Sequence, residues 1–421
     1  MKKRIQIWHF LLLLTLSVII LRFSELVDSL KLFYRFIILV FSGSNFSNLF
    51  SFETADQLIS SLGIIFLLAV LLLFKRKFSF FNRQLGFSQG IAIAVSFIFI
   101  FAPLIAIYNP NLQFNLSVAK NLSPLSSRVL LRVDADKTAT DELTQYHNLK
   151  RDLFRDVVDD KYFLCDSVKM NGGIKIFQKN KEFELQNILE SKTVTENIIF
   201  LFGTDEYGRD LFSRIIYATR LSVLIGISAV IVTLLIGGLL GFISGYFSGN
   251  VDIVLNRFTE MLLAFPTIFL VILFLAYFGN SLLNVIIILG ISGWKTLFKI
   301  VRGEVISLKH KNYIITSQML GMSKLEMLRK DFIPLLLPSL LVNLVFQFAS
   351  VIIAESSLSY LGLTGNHFYP TWGAMILEGQ FYLSQAWWIA AFPSLFLVIT
   401  LLSVYSLGKE LQLKINPFIA D

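Results

Sequence analysis

The stretch KHKNYIITSQMLGMSKLEMLRKDFIP, residues 309–334, is a polar segment between two long apolar runs. It predicts two short helices joined at Gly321, which stands where the C-cap of the first helix is expected. The residues of the first helix at helical spacing are Tyr313, Ile314, Ser317 and Leu320. Ser323 and Glu326 form the capping-box pattern of a second helix, which Pro334 is expected to end.

Both flanks of this stretch are long and apolar enough to predict membrane spans, so the helix pair is expected to lie rigidly at the membrane surface. A rigid pair in that position suits a piece that passes force from one protein to another. The same pattern is also typical of a solvated loop between two spans. A DNA-reading helix-turn-helix has this shape too, but anchoring in a membrane argues against that interpretation.

Composition predicts an all-α polytopic membrane protein. Of the 421 residues 55% are hydrophobic, and the mean hydropathy is +0.68, which would make a soluble chain an outlier. The net charge of +8 fits the lysine and arginine excess of cytoplasmic loops, so nucleic acid is not an expected partner. Cys165 is the one cysteine, which excludes an intramolecular disulfide. The four histidines lack ligand spacing, so no metal site is expected.

Residues 1–87 are predicted to form an N-terminal extension with two extra spans, at about 5–22 and 58–74. No small-residue cleavage pattern follows the first span, which favours an anchor over a signal peptide. An amphipathic run at 32–41 is too short to cross and is expected to lie in the interface. The basic cluster at 75–83 is predicted to be cytoplasmic, because lysine and arginine accumulate in cytoplasmic loops. If the run at 32–41 does not cross, two spans separate this cluster from the N-terminus, which is then cytoplasmic too.

The first core span is predicted at about 88–110, and residues 111–202 follow as an extracytoplasmic insert, either α+β or irregular. The sequence Asn-Gly-Gly at 171–173 predicts a hairpin turn between strands at 163–170 and 174–177.

Residues 203–421 are predicted to form the core domain, and Thr204 is expected to cap its first helix. The core spans are predicted at about 221–246, 254–278, 282–300, 335–357 and 387–407, which gives eight spans in all. Lysines and arginines cluster around residues 309–334, so this loop and the C-terminus are both predicted to be cytoplasmic.

Seven landmarks stand in a fixed order with spans between them. They are FAPL at 101–104 with YNP at 108–110, GTDEYGRD at 203–210, GYFSGNVD at 245–252, LAFP at 263–266, VRGEV at 301–305, ESSLSYLG at 355–362 and PTWGAM at 370–375. In these landmarks the chain resembles the C-type permease subunit of the dipeptide/oligopeptide (nickel) class of binding-protein-dependent ABC importers. The resemblance covers residues 90–416 and implies a type I ABC importer transmembrane domain.

The resemblance implies that residues 309–334 are the coupling loop, which docks into a cleft on an ATPase subunit. The residues implied to form it are Tyr313, Ile314, Ser317, Gln318, Leu320, Gly321, Ser323 and Glu326. The family signature before the second core span is implied at Gly203, Thr204, Asp205, Gly208, Arg209 and Asp210. Ile315-Thr316-Ser317 replaces the usual Glu-Ala-Ala, and Gln318 replaces a common arginine, so weaker or retuned polar anchoring is expected.

No catalytic site is predicted in this chain. Residues 290–296 superficially resemble a phosphate loop, but Trp294 stands where that motif needs glycine. ATP and magnesium are therefore expected on separate ATPase subunits, and no cofactor is expected here. Glu355 with Ser356 is predicted either to line the solute pathway or to form a satisfied hydrogen bond, because an ionised carboxylate in hydrocarbon needs a partner or water.

Further expectations concern packing. Glu260 is expected to pair with Arg257 one helical turn away, and Glu304 beside Arg302 is expected to be structural. A glycine stripe predicts close helix approach, at Gly237, Gly238, Gly241 and Gly245. Tryptophans are expected to mark the outer interface belt, at Trp372, Trp387 and Trp388.

Together these features predict a permease subunit of an ATP-driven importer in a bacterial inner membrane, with peptide as the solute class that the resemblance favours. The implied partners are a second homologous permease, two ABC ATPase subunits, an extracytoplasmic solute-binding protein and membrane lipid. The alternative is a stand-alone carrier driven by an ion gradient, which predicts inverted repeats with broken helices. No such repeat is visible in the sequence, and a membrane enzyme lacks a catalytic constellation to support it.

Overall fold

The structure is a computed structural model that describes most of the chain. The residues it describes are 6–41, 52–74, 85–133, 146, 149, 162–170, 174–178, 181–185, 193–365 and 370–415. The basic cluster at 75–83 and the turn at 171–173 lie outside the described residues. The chain forms two compact units. The first consists of residues 1–220, 369–371 and 375–396, and the second of residues 221–368, 372–374 and 397–421.

Long apolar helices dominate the described residues. Those long and apolar enough to cross a membrane are Glu53–Leu73, Phe87–Ile105, Leu211–Phe247, Leu282–Lys309, Lys324–Tyr360 and Trp388–Ile415. Two further helix pairs pass the same test but are bent, by 77° for Ile7–Leu21 with Phe23–Leu39 and by 87° for Gly249–Leu263 with Thr267–Phe278. The count within the described residues is therefore six, or up to eight when each bent pair is one span, a range that includes the predicted eight.

Helices of the N-terminal extension pack on the first core helix within the first unit. They are α1 (Ile7–Leu21), α2 (Phe23–Phe41) and α3 (Phe52–Phe74), followed by the core helix α4 (Phe87–Ile105). The buried side chains that join them are Leu26, Ile64, Phe97, Phe101 and Leu104. Arg22, between α1 and α2, donates hydrogen bonds to the carbonyls of Leu104 and Ala106. These bonds satisfy carbonyls at the end of α4, which stops before the predicted residue 110.

The insert is an α+β module. A four-residue helix, α5 (Leu116–Ala119), precedes its strands. The strands are β1 (Ser126–Val133), β2 (Tyr162–Cys165), β3 (Ser167–Met170), β4 (Ile174–Gln178), β5 (Lys181–Leu185) and β6 (Thr193–Phe200). They form two antiparallel sheets, of order β2-β1-β6 and β3-β4-β5. Leu130, Leu164, Ile198 and Phe200 project from the first sheet into a buried core.

The predicted hairpin is confirmed, because β3 and β4 pair antiparallel with Met170 opposite Ile174. The single strand predicted at 163–170 is wrong. It divides at Asp166 into β2, which pairs with β1, and β3, which pairs with β4. Sequence alternation alone does not report a change of sheet, because each half keeps the same period of two.

The described residues from 211 onward are mostly helical. Their elements are α6 (Leu211–Thr233), α7 (Leu239–Phe247), α8 (Gly249–Leu263), α9 (Thr267–Phe278), α10 (Leu282–Lys309), α11 (Asn312–Met319), α12 (Lys324–Met327), α13 (Ile333–Tyr360), α14 (Trp372–Gln380) and α15 (Trp388–Ile415). A π-helical turn at Leu234–Gly238 joins α6 to α7, and another at Leu328–Phe332 joins α12 to α13.

The span predicted at 254–278 is not one straight helix. Two helices, α8 and α9, meet there at 87°, with Ala264 and Phe265 between them and Pro266 as the N-cap of α9. Proline has no N–H to continue the hydrogen-bond ladder and restricts the residue before it, so a helix ends readily at this point. Hydropathy does not register the break, because the residues just before and after Pro266 are mostly apolar.

The glycine stripe packs as predicted at three of its four positions. Cβ atoms placed on Gly237, Gly241 and Gly245 would lie 2.7, 2.8 and 2.9 Å from backbone carbonyl oxygens of α10. These three oxygens are one helical turn apart, on Trp294, Phe298 and Arg302. The absence of side chains at these three positions therefore lets α10 approach the α6–α7 helix backbone to backbone. Gly238 does not take part, since its nearest neighbour would be Leu234 of its own helix, 3.4 Å away.

Candidate functional site

The loop at residues 312–332, called the elbow below, consists of α11, a glycine turn and α12 with its π-helical extension. Gly321 has a φ of +76°, which only glycine adopts without strain, and no atom lies within 4 Å of a Cβ placed there. The Met322 amide donates to the Ser317 carbonyl at 3.2 Å, and the Leu320 amide donates to Thr316 at 2.9 Å. The first of these is the six-to-one bond of a Schellman C-cap, and the second is the last regular helical bond. Together with the positive φ of Gly321, they confirm its predicted C-cap role.

The second half of the elbow begins at Ser323, as predicted. Its hydroxyl accepts the Glu326 amide at 3.3 Å, and the Glu326 carboxylate accepts the Ser323 amide at 3.1 Å, which completes the capping box. The prediction that Pro334 ends this helix is wrong, because α12 continues through the π-helical turn into α13. Pro334 lies in the first turn of α13, where its missing N–H is tolerated, and the wider turn before it changes the hydrogen-bond register.

The elbow has a buried face and an exposed face. Ile314, Met327 and Phe332 are fully buried against Val301 and Val305 of α10. Burial of each of these three side chains contributes roughly 1.5–3 kcal/mol, so the elbow is held firmly on the long helix. The large apolar side chains at its tip are left uncovered: Met319 is 82% exposed, Leu320 76% and Leu325 65%.

The predicted coupling residues therefore divide between the two faces. Tyr313 and Leu320 are exposed, Ser323 and Glu326 form the cap, and Ile314 lies underneath as packing. The Gln318 side chain lies outside the described part of the structure. The predicted coupling residues did not include Met319 and Leu325, although apolar residues within four positions of a predicted glycine turn are a signal that a search for exposed contacts would find.

Residues 203–210, called the signature loop below, form a closed turn and not the predicted helix start. The helix begins at Leu211, and Asp210 caps it by accepting the Ser213 amide at 2.8 Å. Gly203 and Gly208 have φ values of +79° and +71°, which lets the chain reverse between them. Burial raises the pKa of the Asp210 carboxyl to about 6, and the hydrogen bonds from Ser213 act against that rise.

Thr204 joins the signature loop to the first part of the insert. Its hydroxyl accepts the Leu122 amide at 2.8 Å and donates to the Ala119 carbonyl. Asp205 closes the loop itself by accepting the amides of Tyr207 and Arg209, each at 2.9 Å. The Asp205 carboxylate therefore stabilises a turn by bonding backbone amides within the loop. This explains why no helix begins at Thr204, where the sequence predicted an N-cap.

Two arginines link the signature loop to α14. Arg209 and Arg214 each contact the Asp205 carboxylate, at 2.6 and 3.2 Å, and each contacts Glu378 of α14, at 3.2 and 2.7 Å. The four side chains thus alternate in charge. Arg214 is almost fully buried, and a buried guanidinium requires such carboxylate partners.

Glu206 completes an acidic group with Asp205 and Glu378, whose carboxylate oxygens lie within 4.8 Å of one another. Both neighbours already have arginine partners, so this arrangement is an ion-pair network and not a set of free metal ligands. Burial, followed by the negative charges of Asp205 and Glu378, raises the pKa of Glu206 to about 7.

A second ion pair joins two of the sequence landmarks. Arg302 of α10 holds Asp252 of α8 through two bonds, the Nη2–Oδ2 bond measuring 2.7 Å, and Ser244 donates to the same carboxylate at 2.5 Å. The sequence had suggested only local partners for Arg302. The predicted pair of Arg257 with Glu260 is present, at 3.3 Å.

Glu355 lies fully buried near the end of α13. Its carboxylate accepts hydrogen bonds from Ser359 at 2.7 Å and from Ser356 at 3.3 Å, and Ser359 also contacts Thr364 at 2.6 Å. Each oxygen of the carboxylate thus accepts a hydroxyl hydrogen bond, as expected if Glu355 and Ser356 form a satisfied hydrogen bond.

The predicted tryptophan belt is wrong for two of its three members. Trp372 is fully buried, and Trp388 is buried with its indole N–H donating to the Thr204 carbonyl at 3.3 Å. Trp387 alone of the three is exposed. An indole carries enough apolar area to serve packing equally well, so composition at a helix end does not separate the two uses.

Comparison with known proteins identifies the family. The profile of the binding-protein-dependent transport system inner membrane component matches residues 237–419. The dipeptide transport system permease protein DppC of Bacillus subtilis is 35% identical over 217 residues, which cover 51% of this chain and 68% of that protein. The oligopeptide transport system permease protein OppC of Haemophilus influenzae is 34% identical over 231 residues, 55% of this chain and 74% of that protein.

Among solved structures, a chain of the inward-facing MetNI methionine ABC transporter is similar, with a TM-score of 0.40 and 14% identity. The matched region includes 47% of the present chain and 94% of the MetNI chain. The family match and the apolar helices agree with the predicted class, an all-α polytopic protein with an α+β insert. This chain is a multi-pass membrane protein that belongs to the binding-protein-dependent transport system inner membrane component family, and within it resembles the C-type permeases.

Proposed function

We propose that this chain is the permease subunit of an ATP-driven importer of peptides, working with a second homologous permease, two ATPase subunits and an extracytoplasmic binding protein. The names of its relatives, which refer to dipeptide and oligopeptide transport, support the solute class. ATP and magnesium bind the ATPase subunits, and this chain contributes no catalytic group. The excess of lysine and arginine near residues 309–334 supports a cytoplasmic elbow, with both termini on the same side.

The observation that carries this proposal is the two-faced elbow. Its inner face is anchored on α10 through Ile314 and Met327, while Met319, Leu320 and Leu325 project from its tip without a partner among the described residues. Exposed apolar side chains on a rigid element fit a groove on another protein. When the ATPase subunits close on ATP, they push this tip, and α12 passes the displacement directly into α13 because the two helices are continuous.

The test is to replace Gly321 with valine in the reconstituted complex. A β-branched residue strongly disfavours a φ of +76°, so the turn must rearrange although no neighbouring atom obstructs the side chain. ATP hydrolysis is expected to lose most of its stimulation by binding protein and peptide, while yield and melting temperature stay near wild type.

Gly303→Val is the matched control, because Gly303 also has no atom within 4 Å of a Cβ but lies within the regular helix α10. It should retain stimulation. Wild-type stimulation in Gly321→Val would remove the support for the elbow as the force-transmitting element.

The insert is proposed to shape the face on which the binding protein docks. Val133 and Thr193 lie opposite each other in the β1–β6 pair, so residues 134–192 can be replaced by an Asn-Gly turn that keeps this pairing. The shortened chain is expected to keep its basal ATPase rate and to require a higher concentration of binding protein for half-maximal uptake. Uptake with unchanged dependence on binding protein would argue against this role.

A further inference from the structure

The break between α8 and α9 exposes helix ends inside an apolar region. The two helices meet at 87°, and between α8 and Pro266, the N-cap of α9, lie only Ala264 and Phe265. The amides of Thr267 and Ile268, at the start of α9, have no hydrogen-bond acceptor among the described residues. Helix ends left open in this way carry partial charge, positive at the N-terminus of α9 and negative at the C-terminus of α8.

Lys295 of α10 reaches this break. Its side chain is 4% exposed, and its ammonium donates to the Leu262 carbonyl at 3.3 Å and to the Thr267 hydroxyl at 3.2 Å. Both bonds are long for a charged donor, and an ammonium group has a third N–H to give. Lys295 is the fourteenth of the 28 residues of α10, so it lies at the middle of this helix.

The charge of Lys295 has no counter-ion in the described part of the chain, where no carboxylate lies within 4 Å of its ammonium. Neutral oxygens compensate a buried cation incompletely, and charged groups within membrane segments normally face a partner or a solute path. The neighbouring cations of the same helix differ in this respect, since Arg302 is paired with Asp252 and Lys299 is exposed.

The site is open on one side. Thr267, Ile268 and Phe269 are exposed although the Lys295 side chain beneath them is buried. A ligand on this surface would therefore meet the Thr267 hydroxyl and the free amides of α9 first, with the ammonium directly behind them. These are all hydrogen-bond donors, and an interrupted membrane helix that presents its N-terminus with a nearby cation suits an anionic group.

We propose that Lys295, Thr267 and the first amides of α9 form a binding site for a carboxylate of the transported solute. The inference rests on the proposed function, because it assigns to this site the terminal carboxylate that every unmodified peptide carries. The bound carboxylate supplies the missing counter-ion, so solute binding stabilises the geometry of the α8–α9 break. A permanent partner would instead be a carboxylate of a neighbouring protein chain.

The test is uptake of tri-alanine and of tri-alanine amide by the reconstituted complex, each divided by the ATP hydrolysed. Lys295→Gln, which keeps a neutral donor, and Lys295→Met are expected to lower the ratio for tri-alanine on the order of tenfold, the usual effect of losing one charge-assisted hydrogen bond. The amide should change by less than about twofold, because it lacks the charge that Lys295 recognises. Lys295→Arg should restore tri-alanine uptake, and Lys299→Met serves as the control of equal charge loss one turn away.

Equal losses for acid and amide in the neutral variants would overturn the site and leave Lys295 as a brace for the break or as the partner of another chain. Unchanged uptake of tri-alanine per ATP would overturn it as well. Failure of the wild-type complex to import either compound with ATP would instead count against the proposed function, and direct binding of tri-alanine by wild type but not by Lys295→Gln then decides the site separately.

Discussion

Glu206 shows that the signature loop buries an acid and so disfavours its charged form. Burial and the adjacent carboxylates of Asp205 and Glu378 raise its pKa from 4.5 to about 7, with Arg209 acting in the opposite direction. Between these two pH values the folded chain binds a proton that the unfolded chain has already released. The free energy of unfolding therefore falls as the pH rises through this window, and the loss is complete above about pH 7.

Glu206→Gln should remove this pH dependence. Because the amide is neutral at every pH, the variant is expected to melt at the same temperature as wild type below about pH 4.5 and a few degrees higher at pH 8. Thermal unfolding in detergent between pH 4 and pH 8 measures the difference. Glu196→Gln, an exposed site on β6, is the control and should not separate from wild type as the pH rises. A Glu206→Gln curve parallel to wild type would contradict the assignment.

At the scale of elements, the packing of α7 on α10 depends on Gly241. A Cβ there would lie 2.8 Å from the Phe298 carbonyl oxygen and 2.9 Å from the Val301 Cβ, so the helices would have to separate. Gly241→Ala is expected to lower the free energy of unfolding by about 1–3 kcal/mol, the usual cost of overpacking, and melting temperature in detergent measures it.

Gly238→Ala is the control in the adjoining π-helical turn. The added Cβ meets only Leu234, at 3.4 Å, so its effect on stability should be near neutral. Equal effects of the two changes would refute close backbone approach as the reason for the stripe.

Hydropathy located the helices of this chain but did not locate their ends or breaks. Leu211–Phe247 begins ten residues before the predicted 221, because its first turns contain Arg214 and Arg220, which lower the apolar average yet have carboxylate partners. Those partners are distant in sequence, and no local pattern announces them. The break near Pro266 was missed for the opposite reason, since its flanks stay apolar.

The candidate sites were predictable where their chemistry is local. Gly321, Ser323 and Glu326 satisfy their own backbone within a few residues, so capping rules identified them. The pairing of Asp252 with Arg302 joins residues fifty positions apart, and the approach of Lys295 to Thr267 depends on how α9 is turned. Such contacts are properties of packing, which composition and spacing do not contain.

At the scale of the whole molecule, the N-terminal extension is part of the structure that supports the first core helices. Arg22 caps the end of α4, and Asp56 of α3 pairs with Arg220 of α6 through two bonds, with 2.6 Å between Nη2 and Oδ1. Both members of this pair are largely buried. The extension is therefore joined to the core helices by an ion pair as well as by apolar contacts. We expect the extension and these core helices to unfold together.

Charge reversal at this pair tests that conclusion. Asp56→Asn is expected to lower the free energy of unfolding by about 3–5 kcal/mol. It removes the carboxylate charge of Asp56 and leaves the largely buried Arg220 guanidinium without that partner. The double exchange Asp56→Arg with Arg220→Asp should recover a large part of what Asp56→Arg alone loses, measured as melting temperature and as yield of folded protein in mild detergent. Asp28→Asn, which breaks the exposed pair with Lys31 on α2, is the control and should cost no more than about 1 kcal/mol. Strictly additive losses in the double exchange would mean that the extension and the core are stabilised independently, since a direct ion pair must give a coupling energy between the two positions.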